Sequence, residues 1–132
     1  MEGLTLGNGE GAKVMKKVFE EVIPIKPKPW SAPRFSMGRV WSANNTYEEK
    51  IKFFLRTRWQ RPLLTGRVWL AFEFSGVSSG DLTNYVKAAE DALKGVIIKD
   101  DCQVCLMHAV KRRGGTSYVR VAVYTEVDSG EA

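Results

Sequence analysis

The sequence predicts one α+β domain in which helices pack against a mixed sheet. Three observations carry that expectation: strict alternation over Val68–Phe74, two segments whose apolar residues recur at helical spacing, and two β-rich runs joined by Gly114-Gly115. At 132 residues, 44% hydrophobic and 27% charged, the chain has the size of a single core and is too short for two. The expected layout is a mobile tail over residues 1–15, a folded domain over 16–127 and a second tail over 128–132, because both ends are small-residue-rich and unpatterned. No internal repeat is visible.

Taken in order, Val18–Ile25 is β-branched and aromatic and then meets Pro24, Pro27 and Pro29, which predicts a strand running into an extended loop. From Trp30 to Ser42, Pro33, Gly38, aromatics and arginines predict an irregular loop or a short hairpin. Thr46-Tyr47-Glu48-Glu49 fits a capping box, and Tyr47, Ile51, Phe54, Leu55 and Trp59 follow with helical periodicity. Val68, Leu70, Phe72 and Phe74 alternate with Arg67, Trp69, Ala71 and Glu73, a strand with one well-buried face. Asp81 can cap a second helix whose apolar stripe is Leu82, Tyr85, Val86, Ala89, Ala92, Leu93 and Val96, with Gly95 as its stop. Asn84, Lys87 and Asp91 fall on the opposite arc. Strands over Gln103–Lys111 and Tyr118–Glu126 complete the order strand, helix, strand, helix, strand, strand.

The net charge of +5 favours a polyanionic partner. Basic residues gather in three stretches: Lys26, Lys28, Arg34 and Arg39; Lys50 to Arg61; and Lys111, Arg112 and Arg113. Five acids collect between Asp81 and Asp101. Basic arms around an acidic focus suit metal-dependent cleavage of a phosphodiester, since the arms attract phosphate while the carboxylates hold the cation. Solvated surface charge accounts equally well for any one stretch, and best for Lys50 to Arg61.

No apolar run approaches the roughly 18 residues of a membrane span, and the first residues lack the apolar core of a secretory signal, so a cytoplasmic protein without membrane contact is expected. Cys102 and Cys105 form a C-x-x-C without a second ligand pair, and they read as reduced packing residues. His108, the one histidine, has no nucleophile near it in sequence and reads as a packed or surface residue.

Between Asp81 and Val104 the chain reads Asp81-Leu82-Thr83-Asn84, then Lys87, Asp91, Ala92-Leu93, Gly95 and Asp100-Asp101 before Gln103-Val104. This resembles the signature of the RusA-like Holliday junction resolvases: Asp-x-Asp-Asn, a lysine, an aspartate, Ala-Leu, Gly and a terminal Asp-Asp. The motif covers about two dozen residues; the proline loop, the first helix and the last hairpin match the family layout more loosely. The departure is Thr83, where the family usually carries a metal-binding aspartate, so one full negative charge is missing.

The resemblance implies Asp81 and Asp101 as metal ligands and catalytic acids, with Asp100 a third candidate ligand, for Mg²⁺ or Mn²⁺. It implies Lys87 as a cation that offsets charge growing on the phosphate. Lys26, Lys28, Arg34, Arg39, Lys111, Arg112 and Arg113 are the expected DNA contacts. The plainer alternatives are Asp81 as a helix cap, Asp100-Asp101 as a turn and Lys87 paired with Asp91 at i to i+4. Trp30, Phe35 and Trp41, interleaved with Arg34 and Arg39, fit either stacking on exposed bases or covering the core. The implied function is a homodimeric endodeoxyribonuclease that resolves four-way junctions in DNA recombination and repair. A junction-binding protein with cleavage weakened by Thr83, and a generic RNA- or single-strand-binding module, are the alternatives.

Overall fold

The structure, a computed structural model, describes residues 5–6, 13–32, 34–36, 39–41 and 44–131. Its main sheet has five strands in the order β1-β2-β7-β5-β6. These are β1 (Thr5–Leu6), β2 (Lys13–Ile23), β5 (Val68–Val77), β6 (Val104–Arg113) and β7 (Tyr118–Asp128). A separate two-stranded hairpin comprises β3 (Arg34–Ser36) and β4 (Arg39–Trp41). The helices are α1 (Asn44–Arg58) and α2 (Leu82–Leu93). The fold is α+β and its order is the expected one, with a hairpin in the proline-containing segment. No helix among the described residues is long and apolar enough to cross a membrane.

All neighbours in the main sheet are antiparallel except β5 and β6, which run parallel. A parallel pair needs a long crossover, and α2 supplies it. The helix therefore returns along the sheet from the C-terminal end of β5 to the N-terminal end of β6. Val68, Leu70, Phe72 and Phe74 of β5 and Val119, Val121 and Val123 of β7 meet Ile51, Leu55, Ala89 and Leu93 of the two helices in one core. The other face carries polar contacts, but Trp69, with 2% of its surface exposed, is also buried there and packs on Tyr124 with ring centroids 6.1 Å apart. Same-face neighbours explain this: Trp69 lies between its register partners Tyr124 of β7 and Leu106 of β6.

Several boundaries differ from the sequence reading. Strand β2 starts at Lys13 and buries Val14 and Met15, inside the expected tail, and β7 reaches Asp128 before a 3₁₀ turn at Ser129–Glu131. Residues 1–4, 7–12 and 132 of the expected tails lie outside the described residues. Helix α1 begins at Asn44, two residues before the expected Thr46 cap. The Asn44 side chain instead accepts from the Ser31 N–H at 3.0 Å and donates to the Ser31 carbonyl at 2.8 Å, tying the proline loop to the helix start. Val96 falls past the end of α2, in the turn made by Gly95 at φ +83°. Cys102 and Cys105 are exposed free thiols, not packing residues, because β6 is an edge strand and leaves its start uncovered.

Candidate functional site

The turn between β5 and α2 presents Asp81 outward. Gly76, where β5 shifts register, has φ +80°, and a side chain there would come within 2.8 Å of the Ser117 backbone. Gly80 has φ +108°, also in the region that favours glycine. The Tyr85 hydroxyl closes the turn by donating to the Ser79 carbonyl. Asp81 occupies the N-cap position with extended backbone, but its side chain makes no capping hydrogen bond and it is exposed. Its carboxylate is not consumed by the helix.

Two cations from separate elements stand at this end, Lys87 of α2 and Lys111 of β6. The Lys111 ammonium on β6 donates to the Gly80 carbonyl at 2.6 Å. The Lys87 ammonium lies 3.6 Å from the Trp30 ring centroid, and the Trp30 N–H donates to the Asn84 carbonyl at 2.9 Å, so the proline loop is docked on α2. Lys26 and Lys28 of that loop are exposed. Trp30 itself packs against the core and is half-buried. The side chains of Arg34, Phe35, Arg39 and Trp41 lie outside the described residues.

Arg112 is separated from this group. Alternation along β6 turns it to the helix-free face, where its Nε donates to Glu73 at 3.0 Å. Tyr118 also donates to Glu73, and Arg120 lies 3.7 Å away. The Tyr118 hydrogen bond first, and Arg112 second, hold the Glu73 carboxyl below the ordinary range. Arg113 is exposed at the end of β6.

Asp100 and Asp101 lie at the far end of α2. Asp100 caps the 3₁₀ turn Asp101–Gln103, accepting from the Asp101 N–H at 2.8 Å. Gln103 accepts from the N–H groups of Lys99 and Asp100 and donates to the carbonyls of Leu64 and Gly66, all at 2.8–2.9 Å. Asp101 is half exposed, and Lys94 stands 3.8 Å from it while pairing with Asp91 at 3.0 Å. Burial, then the Asp101 charge, raises the Glu90 carboxyl above its ordinary range. The hydrogen bond with Asp91 raises the Lys94 ammonium. The Cys102 thiol's hydrogen bond lowers Asp100, and the same contact raises Cys102.

The acids are therefore split. Twelve helical residues separate Asp81 from the turn that carries Asp101, a rise of about 18 Å. Among the described residues, no three histidine, cysteine, aspartate or glutamate side chains are grouped closely enough to hold a metal ion. The acid set expected to share Mg²⁺ or Mn²⁺ does not fit one ion within one chain.

Residues 24–124, from the proline loop through most of β7, match the family model for endodeoxyribonuclease RusA. The chain belongs to the RusA endodeoxyribonuclease family. The match spans Asp81, Lys87, Asp100 and Asp101, and also Thr83 at the position where the sequence departs from the signature. No curated protein matches the chain.

Two residues beside the predicted acids of this RusA-family chain escaped the sequence reading. Lys94 links Asp91 to Asp101; its i to i+3 spacing from Asp91 was the available signal. Gln103, read only as part of the motif, fixes the Asp100-Asp101 turn through four hydrogen bonds. Its partners Leu64 and Gly66 are almost forty residues away in the chain, so no local pattern marks them.

Proposed function

We propose that this protein is a structure-selective endodeoxyribonuclease that resolves four-way DNA junctions, works as a homodimer and requires Mg²⁺ or Mn²⁺. The observation that carries this reading is the uncapped, exposed Asp81 at the helix end that carries cations from two elements, Lys87 of α2 and Lys111 of β6. A carboxylate that served only as a cap would bond its own helix. Cations drawn from separate elements suit a backbone phosphate, which they neutralise without reading its base. Lys87 is free of any carboxylate partner among the described residues, as a group meant to meet phosphate should be.

Thr83 supports a second reading, in which the protein binds junctions and cuts them slowly or not at all. A threonine hydroxyl is neutral, and it leaves the Asp81 end one charge short of the family signature. One experiment separates the two. The protein is incubated with end-labelled four-way junction, duplex and single strand, each with Mg²⁺, Mn²⁺ or chelator. Paired nicks on the junction alone, abolished by chelator, support the nuclease; junction-selective binding without nicks supports the second reading. Equal binding to single strand and junction would defeat both.

A further inference from the structure

Helix α1 turns a stripe of Tyr47, Ile51 and Leu55 into the core. At about 100° per residue, Phe53 lies about 200° round the helix from Ile51 and so faces away from that core. It is 71% exposed, more than any other large hydrophobic side chain among the described residues. Neighbouring Phe54, by contrast, packs against the core and carries the Arg58 guanidinium 4.1 Å from its ring centroid. Phe53 has no ring or cation over it among the described residues. A bare aromatic ring on the solvent side of a helix adds nothing to folding, and lysine, glutamate or alanine would form the helix better.

The ring ends a groove of about 520 Å³ whose other described walls are Asn45, Thr46, Glu49 and Lys50, all on one stripe of α1. All four are polar and exposed. Glu49 lies 3.9 Å from Arg56, while the Lys50 ammonium has no carboxylate partner among the described residues. Over Asn44–Arg58 four cations stand against two acids. The face is therefore basic as well as aromatic.

That combination selects an occupant. An apolar partner would need more than one apolar residue to bury, and a paired duplex keeps its bases stacked away from any ring. An unpaired base supplies a π-face for Phe53, polar edges for the Asn45 amide and the Thr46 hydroxyl, and a phosphate for Lys50. Bases leave the stack at branch points and gaps in DNA. The groove also continues from the basic proline loop, since Ser31 of that loop is tied to Asn44 at the start of α1 and Trp30 to Asn84 of α2.

We propose that the outer face of α1 binds one unpaired base of branched DNA, stacked on Phe53, held at its edge by Asn45 and Thr46, with its phosphate neutralised by Lys50. The proposal rests on the reading of branched DNA as the substrate, and it does not depend on cleavage. It gives the start of the Lys50 to Arg61 stretch a role beyond solvated charge.

The test is binding of the full chain, in chelator, to a paired duplex, the same duplex with one bulged nucleotide, a single strand and a four-way junction. Phe53→Leu removes the π-face at a position that leaves the core intact. It should weaken binding to the bulged duplex by about fivefold or more and erase the preference over paired duplex. Phe53→Trp should restore that preference. Lys50→Ala should flatten the slope of log affinity against log salt for the single strand by about 0.7. With 5-iodouracil at the bulge, irradiation should cross-link the base to Phe53, located by mass spectrometry.

A natural chain that binds bulged and paired duplex alike, a Phe53→Leu protein that keeps the preference, or cross-links that map elsewhere overturn the proposal. A lower melting temperature or altered sedimentation in Phe53→Leu, with the preference intact, would assign the ring to a cover from this chain or a second copy. Loss of the preference in Phe53→Leu, in a protein that never nicks DNA, upholds the base site and defeats the nuclease reading. Junction cleavage by a Phe53→Leu protein of natural affinity does the reverse.

Discussion

The ammonium of Lys87 sits over the ring of Trp30, 3.6 Å from its centroid, and bridges the proline loop to α2. The sequence offered Asp91 as the partner of Lys87, but Asp91 pairs with Lys94 instead. An aromatic face holds a cation in place without neutralising it, which leaves the Lys87 charge available to a phosphate.

That stacking makes Trp30 a residue that positions Lys87. Trp30→Leu should remove roughly 0.5–1 kcal/mol of cation–π attraction, corresponding to roughly a twofold to fivefold fall in kcat for junction cleavage. Trp30→Phe keeps a ring and should recover most of the rate. Junction affinity should change little, since Lys87 keeps its charge. If Leu and Phe variants are equally slow while melting at the same temperature, Trp30 does not act through Lys87.

The basic groups predict a steep salt dependence of junction binding. Through counterion release, each phosphate that the protein neutralises adds about 0.9 to the steepness of log affinity against log salt. Lys26→Ala, Lys28→Ala and Arg113→Ala should each flatten that slope by about this amount. Arg112→Ala should not, because Arg112 is turned to the other face and held by Glu73. Titrations at several salt concentrations decide it, and an equal effect from Arg112→Ala would place DNA on both faces.

Much of this arrangement was legible in the sequence. The alternation in β5, the stripe of α2 and the capacity of Gly95 to end the helix follow from local periodicity and backbone sterics, and the structure keeps each of them. The residues of the acidic motif were legible too, but not their separation. A parallel pair needs a crossover of the kind that α2 supplies, and that crossover places Asp81 and Asp101 at opposite ends of the β5–β6 pair. The clue was present, yet a motif read along the chain brings its acids together as letters. The burial of Trp69 on the second face and the bonds of Gln103 to Leu64 and Gly66 depend on the meeting of distant segments, and no local pattern specifies them.

Glu73 gives a pH-dependent test. Its carboxyl is held below the ordinary range by Tyr118 and Arg112, so the folded state favours the charged form. That stabilisation is present above the ordinary glutamate value of 4.5 and is lost as pH falls through the lower folded value. Glu73→Gln should therefore destabilise the protein at pH 7, by about 1 kcal/mol as expected for charge-assisted hydrogen bonds near a surface. The gap from the natural chain should close on acidification below pH 4.5. Denaturant melts at pH 7 and pH 3.5 read both, and a gap that stays constant between them would assign the effect to shape and not to charge.

Thr83 is the last and most specific test, because it concerns charge alone at a position already exposed on α2. Asp81→Asn and Asp101→Asn keep side-chain shape and remove a negative charge, so cleavage should collapse by at least a hundredfold while junction binding persists or strengthens. Thr83→Asp works in the opposite direction. It places a carboxylate two residues from Asp81, tightens binding of Mn²⁺ and speeds cleavage, or confers it where the natural chain has none. The added charge repels Asp81 in the metal-free protein, so the variant should melt slightly lower without the ion and recover when Mn²⁺ is added. Lys87 and Lys111 remain in place in all three variants, which separates the capture of DNA from its cutting. If Thr83→Asp leaves Mn²⁺ affinity and rate untouched, and both asparagine variants keep their activity, then Asp81 and Asp101 only begin a helix and hold a turn.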